Sequence, residues 1–167
     1  PNSPNLFFLL LTKRPSNINK YIPESWKTAP PANVMFGVSV SDQQTADKLI
    51  PQLLQVNGRK FLSIEPQLGE IDLRKYYLTT IPGRETNDYP FRGLKESEKT
   101  HWLDLIDWVI VGGESGHHKR PFNPDWARTI RDQCKVAKVP FFMKQIDKIQ
   151  PIPSDLMVRE FSDFYKL

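Results

Sequence analysis

The sequence predicts an α/β fold built on a parallel sheet of about five strands, and two observations carry that prediction. Five short apolar runs (FFLLLTKRP, NVMFGVSVS, KFLSIEPQLG, DWVIVGGESG and VPFFMKQI) each end in a polar or glycine-rich turn. Helical patterns or long crossovers separate them, and right-handed crossovers set such strands parallel, with their C-terminal ends on one side. Both an open doubly wound sheet and part of a (β/α) barrel fit this order. Ligands sit at the C-terminal strand ends in either layout. The 167 residues are read as a single domain, 1–167. They fall short of the about 250 typical of a complete eight-strand barrel.

The elements follow in order. Leu6 to Leu11 is apolar at every position, which reads as a strand covered on both faces. Thr12-Lys13-Arg14-Pro15 ends it, and Ser16 is placed to cap a helix of about two turns through Ile18 to Tyr21. Pro23, Pro30 and Pro31 then mark a loop. Asn33 to Val40 forms the second strand. Ser41 and Gln44 resemble a capping box, and Ala46, Leu49, Ile50, Leu53 and Leu54 form a helical stripe interrupted by Pro51. Pro51 either kinks that helix or opens a new turn.

Lys60 to Ile64 is the third strand, with Glu65-Pro66 at its end. From about 74 to 99 the chain has no clean period and reads as an irregular insertion: a surface excursion, a lid or a partner surface. Trp108 to Val111 is the fourth strand and leads into Gly112-Gly113-Glu114-Ser115-Gly116. Asn123 and Pro124 open a helix as cap and first residue, with Trp126, Ala127, Ile130, Cys134 and Ala137 on one face. Phe141 to Met143 is the fifth strand. From about 147 the chain reads as an extended tail.

Bulk composition narrows the class. An apolar fraction of 39% and four tryptophans argue against disorder. The net charge of +4 is mild. One cysteine excludes an internal disulfide and any multi-cysteine metal site from this chain alone. The longest apolar run is far below membrane-spanning length, and no secretory leader is evident, so a cytoplasmic protein is the default expectation. The chain opens Pro1-Asn2-Ser3 without an initiator methionine, which suits a processed product or the remainder of a longer chain.

The parallel layout gathers candidate ligand residues at one rim: Lys13, Arg14, Ser39, Glu65, Gly112, Gly113, Glu114, Ser115, Lys144 and Gln145. Glycines at a strand end permit close backbone approach, and exposed N–H groups there cradle carboxylate or phosphate. Neither GxGxxG nor a Walker loop is present. Glu65 ends a buried strand, where an acid needs a partner. Lys144 is the obvious one, and ligand contact is the companion reading. Arg14 suits bidentate capture of an anion, and a solvated basic turn is the plainer alternative. Ser41 reads better as a helix cap than as a ligand donor. His117-His118 lacks a third ligand at recognisable spacing, so no metal site is assigned. With Lys119 and Arg120 the pair reads as a solvated basic loop or a phosphate contact. Cys134 falls on the apolar helical face and reads as a core thiol.

Several of these segments together resemble a family of phage and bacterial proteins known from phage gene products thirty-seven and sixty-eight. They are Leu10 through Pro15, Gly37 through Ser41, Glu65 through Gly69, Asp107 through Gly116, Asn123 through Trp126, Asp132-Gln133-Cys134 and Val139 through Gln145. That family looks like a barrel of the radical S-adenosylmethionine type. The resemblance implies that this chain is the C-terminal two-thirds of such a barrel, TIM-barrel-like and lacking its N-terminal units. It places a [4Fe–4S] cluster and S-adenosylmethionine in a longer parent protein and none in this chain. Glu65, Glu114, Ser115, Lys144 and Gln145 would form the far wall of the site.

The expected partner is a small anionic or nucleotide-like ligand. Self-association through exposed sheet edges is a further expectation. A non-catalytic module binding nucleic acid or protein is the rival class, although no reader motif supports it. A simple hydrolase is disfavoured by the absence of a Gly-x-Ser-x-Gly elbow. Whether the chain is an enzyme is left open.

Overall fold

A computed structural model describes residues 5–77 and 100–163. Residues 78–99 of the expected insertion lie outside the described residues. Five strands form the sheet: β1 (Phe8–Thr12), β2 (Val34–Ser39), β3 (Arg59–Ile64), β4 (Trp108–Gly112) and β5 (Phe141–Gln145). They pair in chain order, β1-β2-β3-β4-β5, and every pair is parallel.

That order decides how the sheet is wound. A doubly wound sheet reverses its strand order and carries helices on both faces. Here consecutive strands are always neighbours, and the helices share one core. Val34, Phe36, Val38, Leu62, Ile64, Val109, Val111, Phe141 and Met143 point from the strands into it. Ile18, Ala46, Ile50, Leu53, Ala127 and Ile130 meet them from the helices. The alternate strand residues Met35, Phe61 and Trp108 form a second cluster on the other face, with Leu9, Ile110 and Phe142. Among the described residues no helix contributes to that second cluster. The sheet is singly wound and stays open between β1 and β5, which fits a barrel segment and an open sheet alike.

The crossovers differ from expectation in instructive ways. The first strand is not covered on both faces. It is an edge, and Leu10 and Leu11 remain 40% and 51% exposed. A 3-10 turn at Pro15–Asn17 leads into one helical turn, α1 (Ile18–Tyr21). Ile22 sits before Pro23 with ψ 154°, as steric conflict with a following proline requires, and this stops the helix. A second short helix, α2 (Glu24–Thr28), then starts within the stretch read as loop.

Helix α3 (Gln43–Leu54) is capped one residue later than the capping-box reading placed it. The Asp42 carboxylate accepts from the Thr45 N–H at 2.8 Å, and the Thr45 hydroxyl accepts from the Asp42 N–H at 3.1 Å. Pro51 neither breaks nor restarts this helix. Its missing hydrogen bond is offset by the buried stripe of Ala46, Ile50, Leu53 and Leu54.

Helix α4 (Pro124–Ala137) begins as expected, with the Asn123 side chain accepting from the Asp125 N–H. Its buried face is Ala127, Ile130, Gln133 and Cys134, and Ala137 at its end is only half-buried. Trp126 is only half-buried, while Gln133 is buried. Gln133 Oε1 accepts from Leu73 N–H at 2.6 Å, and its Nε2 donates to Ile71 C=O at 3.0 Å. One amide thus satisfies both backbone groups of a buried irregular segment, as buried polar groups require.

The tail is more than extended. A 3-10 turn at Ser154–Leu156 sends it back along β5. Met143 N–H donates to Val158 C=O at 2.8 Å, and Glu160 N–H donates to Phe141 C=O at 3.0 Å. Glu160 C=O accepts from the Trp108 indole at 2.9 Å, and Phe161 packs on Trp108 and Phe142.

Candidate functional site

Parallel pairing puts all five C-terminal strand ends on one rim, where a cleft of about 630 Å³ opens. Lys13 comes from the turn after β1, Ser39 from β2, and Glu65 from the end of β3. Gly113, Glu114 and Ser115 follow β4, and Lys144 and Gln145 close β5. Eight of the ten candidate residues therefore share this lining. Gly112 backs it, and Arg14 lies elsewhere.

The floor is an ion pair across three strands. Lys144 Nζ stands 3.1 Å from Glu65 Oε1 and 3.2 Å from Oε2. Glu65 is on the β3 side and Lys144 on the β5 side, so the pair passes over β4 at Gly112. A Cβ on Gly112 would fall 2.7 Å from Glu65 Oε1. The strand residue between the partners must therefore lack a side chain for the carboxylate to lie where it does.

Lys144 is itself the extra residue of a bulge. Val111 pairs with Met143 and Gly112 with Gln145, so Lys144 is skipped. Such a bulge re-aims a side chain beside a functional cleft. The Glu65 carboxylate also accepts from Ser63 Oγ at 3.4 Å, and Ser39 Oγ donates to Glu65 C=O at 3.3 Å. The Glu65–Pro66 peptide is cis.

The glycine-rich loop is fixed at both ends. Gly113 N–H donates to Gln145 C=O at 3.1 Å, and Gln145 Nε2 donates to Gly113 C=O at 3.2 Å. Glu114 takes a three-point grip from Arg120: Nε and N–H on Oε2, at 3.0 and 2.9 Å, and a terminal nitrogen on Oε1 at 2.9 Å. Those bonds hold the Glu114 carboxyl down at about 2. Farther along, Lys119 Nζ sits 2.6 Å from the Asp147 carboxylate. That contact, with the N–H groups of Gln150 and Ile149, holds Asp147 at about 2 as well. Both cations of the loop are thus paired with carboxylates of the chain.

Among the described residues, the N–H groups of Glu114, Ser115 and Gly116 find no hydrogen-bond acceptor. Among the described residues the Lys13 ammonium likewise meets no carboxylate.

Arg14 diverges from Lys13 because successive side chains at a strand end point to opposite sides. It lines a separate groove beside α1. Ser41 neither caps nor lines the cleft; its C=O accepts from Leu68 N–H at 2.7 Å. Gln67 N–H donates to Gly112 C=O at 2.9 Å, so the 66–68 segment bridges from β4 toward Ser41 above β3. Among the described residues the buried Gln67 Oε1 has no partner. Ser63 was not among the sequence candidates. Its signal was the period of two that puts Phe61, Ser63 and Glu65 on one face.

Among the described residues no group of three His, Cys, Asp or Glu side chains comes together as metal ligands. Cys134 is buried in α4, and burial, helped by Glu160, pushes its thiol up to about 12. Among the described residues no helix is long and apolar enough to cross a membrane.

Fold and site define a class: a singly wound parallel α/β domain with a polar cleft at the C-terminal ends of its strands. The chain belongs to the family described as protein of unknown function (DUF5131), whose model matches residues 1–159. Among curated proteins and solved structures nothing matches the chain.

Proposed function

We propose that this chain binds a small anionic, nucleotide-like ligand in the rim cleft. The observation that carries the proposal is that Lys13, Lys144 and the Glu114–Gly116 turn line one hollow, and that among the described residues the backbone N–H groups of that turn find no acceptor. The charges favour an anion. Lys144 is balanced by Glu65 and Glu114 by Arg120, so among the described residues of the lining Lys13 is the charge without a counter-ion. The volume lies within the about 300–1,000 Å³ of small-molecule sites. The anion would sit on the Glu114–Gly116 amides, with Glu65 and Ser39 beside it for hydroxyl or amino groups. No reaction is assigned.

Descent from a barrel of the radical S-adenosylmethionine type is the finer reading, supported by the segment resemblance and the singly wound strand order. A [4Fe–4S] cluster takes several thiolates. The single buried Cys134 does not fit one, so cluster ligands would come from outside these residues and no step through a cluster is assigned here.

Titration calorimetry with AMP, inorganic phosphate and S-adenosylmethionine tests the proposal. AMP should bind, phosphate should compete weakly, and Lys13→Ala should weaken AMP about tenfold. Amide resonances of Ser115 and Gly116 should shift on binding. Absence of heat with all three probes, or shifts confined to residues outside the cleft, would sink the anion site. Heat with S-adenosylmethionine alone would retain the cleft and move its ligand toward the barrel reading.

A further inference from the structure

Three separate features hold the Glu65 carboxylate at the floor of the cleft. Gly112 leaves room for it, since a Cβ there would fall 2.7 Å from Oε1. The bulge in β5 brings Lys144 Nζ to 3.1 Å from Oε1 and 3.2 Å from Oε2. Ser63 Oγ donates to Oε2 at 3.4 Å. Exposed ion pairs add little stability. The Lys144 side chain is 54% exposed, so the arrangement points to the cleft rather than to the fold.

What the pair offers a ligand is hydrogen bonding, because Lys144 already answers the charge of Glu65. Among the described residues, Lys144 and Ser63 are the partners of the Glu65 carboxylate, and Glu65 is the partner of the Lys144 ammonium. A carboxylate has more acceptor positions, and an ammonium more donors, than these contacts use. An acceptor and a donor therefore stay open side by side. A hydroxyl both donates and accepts. Two adjacent hydroxyls fit the pair, one donating to Glu65 and its neighbour accepting from Lys144. A ligand ammonium fits worse, because it would stand beside Lys144 as a like charge. A ligand anion would meet Glu65 in the same way.

Position supports the same ligand. Gly112 lies between the partners, and Glu114, where the amide-bearing turn begins, is two residues on. Two residues of chain span at most about 7 Å. In a ribose phosphate the phosphate and the vicinal hydroxyls lie at opposite ends of one sugar, a comparable separation.

We propose that the Glu65–Lys144 pair reads a vicinal diol, so that the cleft selects phosphate esters of ribose over their deoxy forms. This rests on the anion reading of the same cleft and names the neutral end of its ligand. Glu65 and Lys144 touch the diol. Gly112 is a positioning residue, acting through the carboxylate it makes room for.

Titration calorimetry on the whole chain compares AMP with its two monodeoxy forms, each lacking one ribose hydroxyl. Each deoxy form should bind about tenfold more weakly than AMP, as loss of a hydrogen bond to a charged group predicts. The same preference should appear between ribose 5-phosphate and deoxyribose 5-phosphate, where no base contributes. Glu65→Gln should bring the deoxy forms level with AMP. Gly112→Ala should do so too, since it displaces the carboxylate and keeps its charge. A purely structural role for the pair would lower the melting temperature of these variants and leave the ratio of AMP to deoxy affinity untouched. Deoxy forms that bind the native chain as tightly as AMP would overturn the diol reading and leave the anion site standing. Absence of binding by every phosphate would remove the anion site and the diol reading with it.

Discussion

Consecutive glycines at the end of β4 meet different obstacles. At Gly112 a methyl group would press on the movable tip of Glu65. At Gly113 it would run into the backbone carbonyl of Ile146, which cannot swing aside. At Gly116 it would meet open space. Gly113→Ala should therefore cost about 1–3 kcal/mol, the usual range for overpacking. Gly116→Ala should stay within about 0.5 kcal/mol, as surface changes do. Urea denaturation of the two variants checks this, and equal midpoints would show that the Gly113 contact relaxes freely. Gly37 has a related role, since the Phe61 ring lies where its side chain would be. That ring fills the second face of the sheet at its centre, so a bulky neighbour on β3 depends on an empty position on β2.

Among the elements, the loop from Gly113 to Phe122 depends most visibly on charge. Asp147 normally titrates near 3.8 and is held at about 2 here, first by Lys119 and then by two backbone N–H groups. A carboxyl lowered by folding adds stability that is fully present above its unfolded value and is lost as pH falls through the folded one. The loop's anchorage should persist above about pH 4 and fail between about pH 4 and pH 2. Hydrogen exchange at the Ile149 and Gln150 amides across that range is the measurement. In Asp147→Asn these amides should exchange faster at neutral pH and lose most of the pH response.

The strands were legible because buried parallel strands are short apolar runs, and five such runs were present. The status of β1 was not, because an edge strand can carry the same leucines as a central one. The α3 cap was misplaced by one residue, since Ser41 and Asp42 are both good caps and only Asp42 has a hydroxyl three residues on to complete the box. The Glu65–Lys144 pair was readable from the cost of an acid at a buried strand end. The Arg120 and Lys119 pairings were not, because a run of basic residues carries no sign of which acids it will meet. Gln133 escaped notice because its amide serves a backbone segment about 60 residues away in the chain.

For the whole molecule, the question is how an open parallel sheet avoids joining others. The tail answers it on one side, covering β5 through backbone bonds, the Trp108 indole and the Phe161 ring. Removing residues 154–163 should expose the β5 backbone, leave the Trp108 N–H without Glu160, and free the Phe142 ring. The shortened chain should self-associate more strongly than the full chain, and its tryptophan emission should shift to the red. Sedimentation velocity over a range of concentrations checks the first expectation and fluorescence the second. A shortened chain that sediments as the full one does would show that the tail is not the seal on that edge.

The tail clasp also sets an order of events in biosynthesis. Chains emerge N-terminal end first, at about 5–20 residues per second. All five strands are therefore made before Val158 and Glu160, the residues that fasten β5. A nascent chain passes through an interval in which its sheet is laid out and its last strand is still unguarded. Ribosome pausing before Ser154 would prolong that window, and a chaperone that shields bare strands would matter most within it.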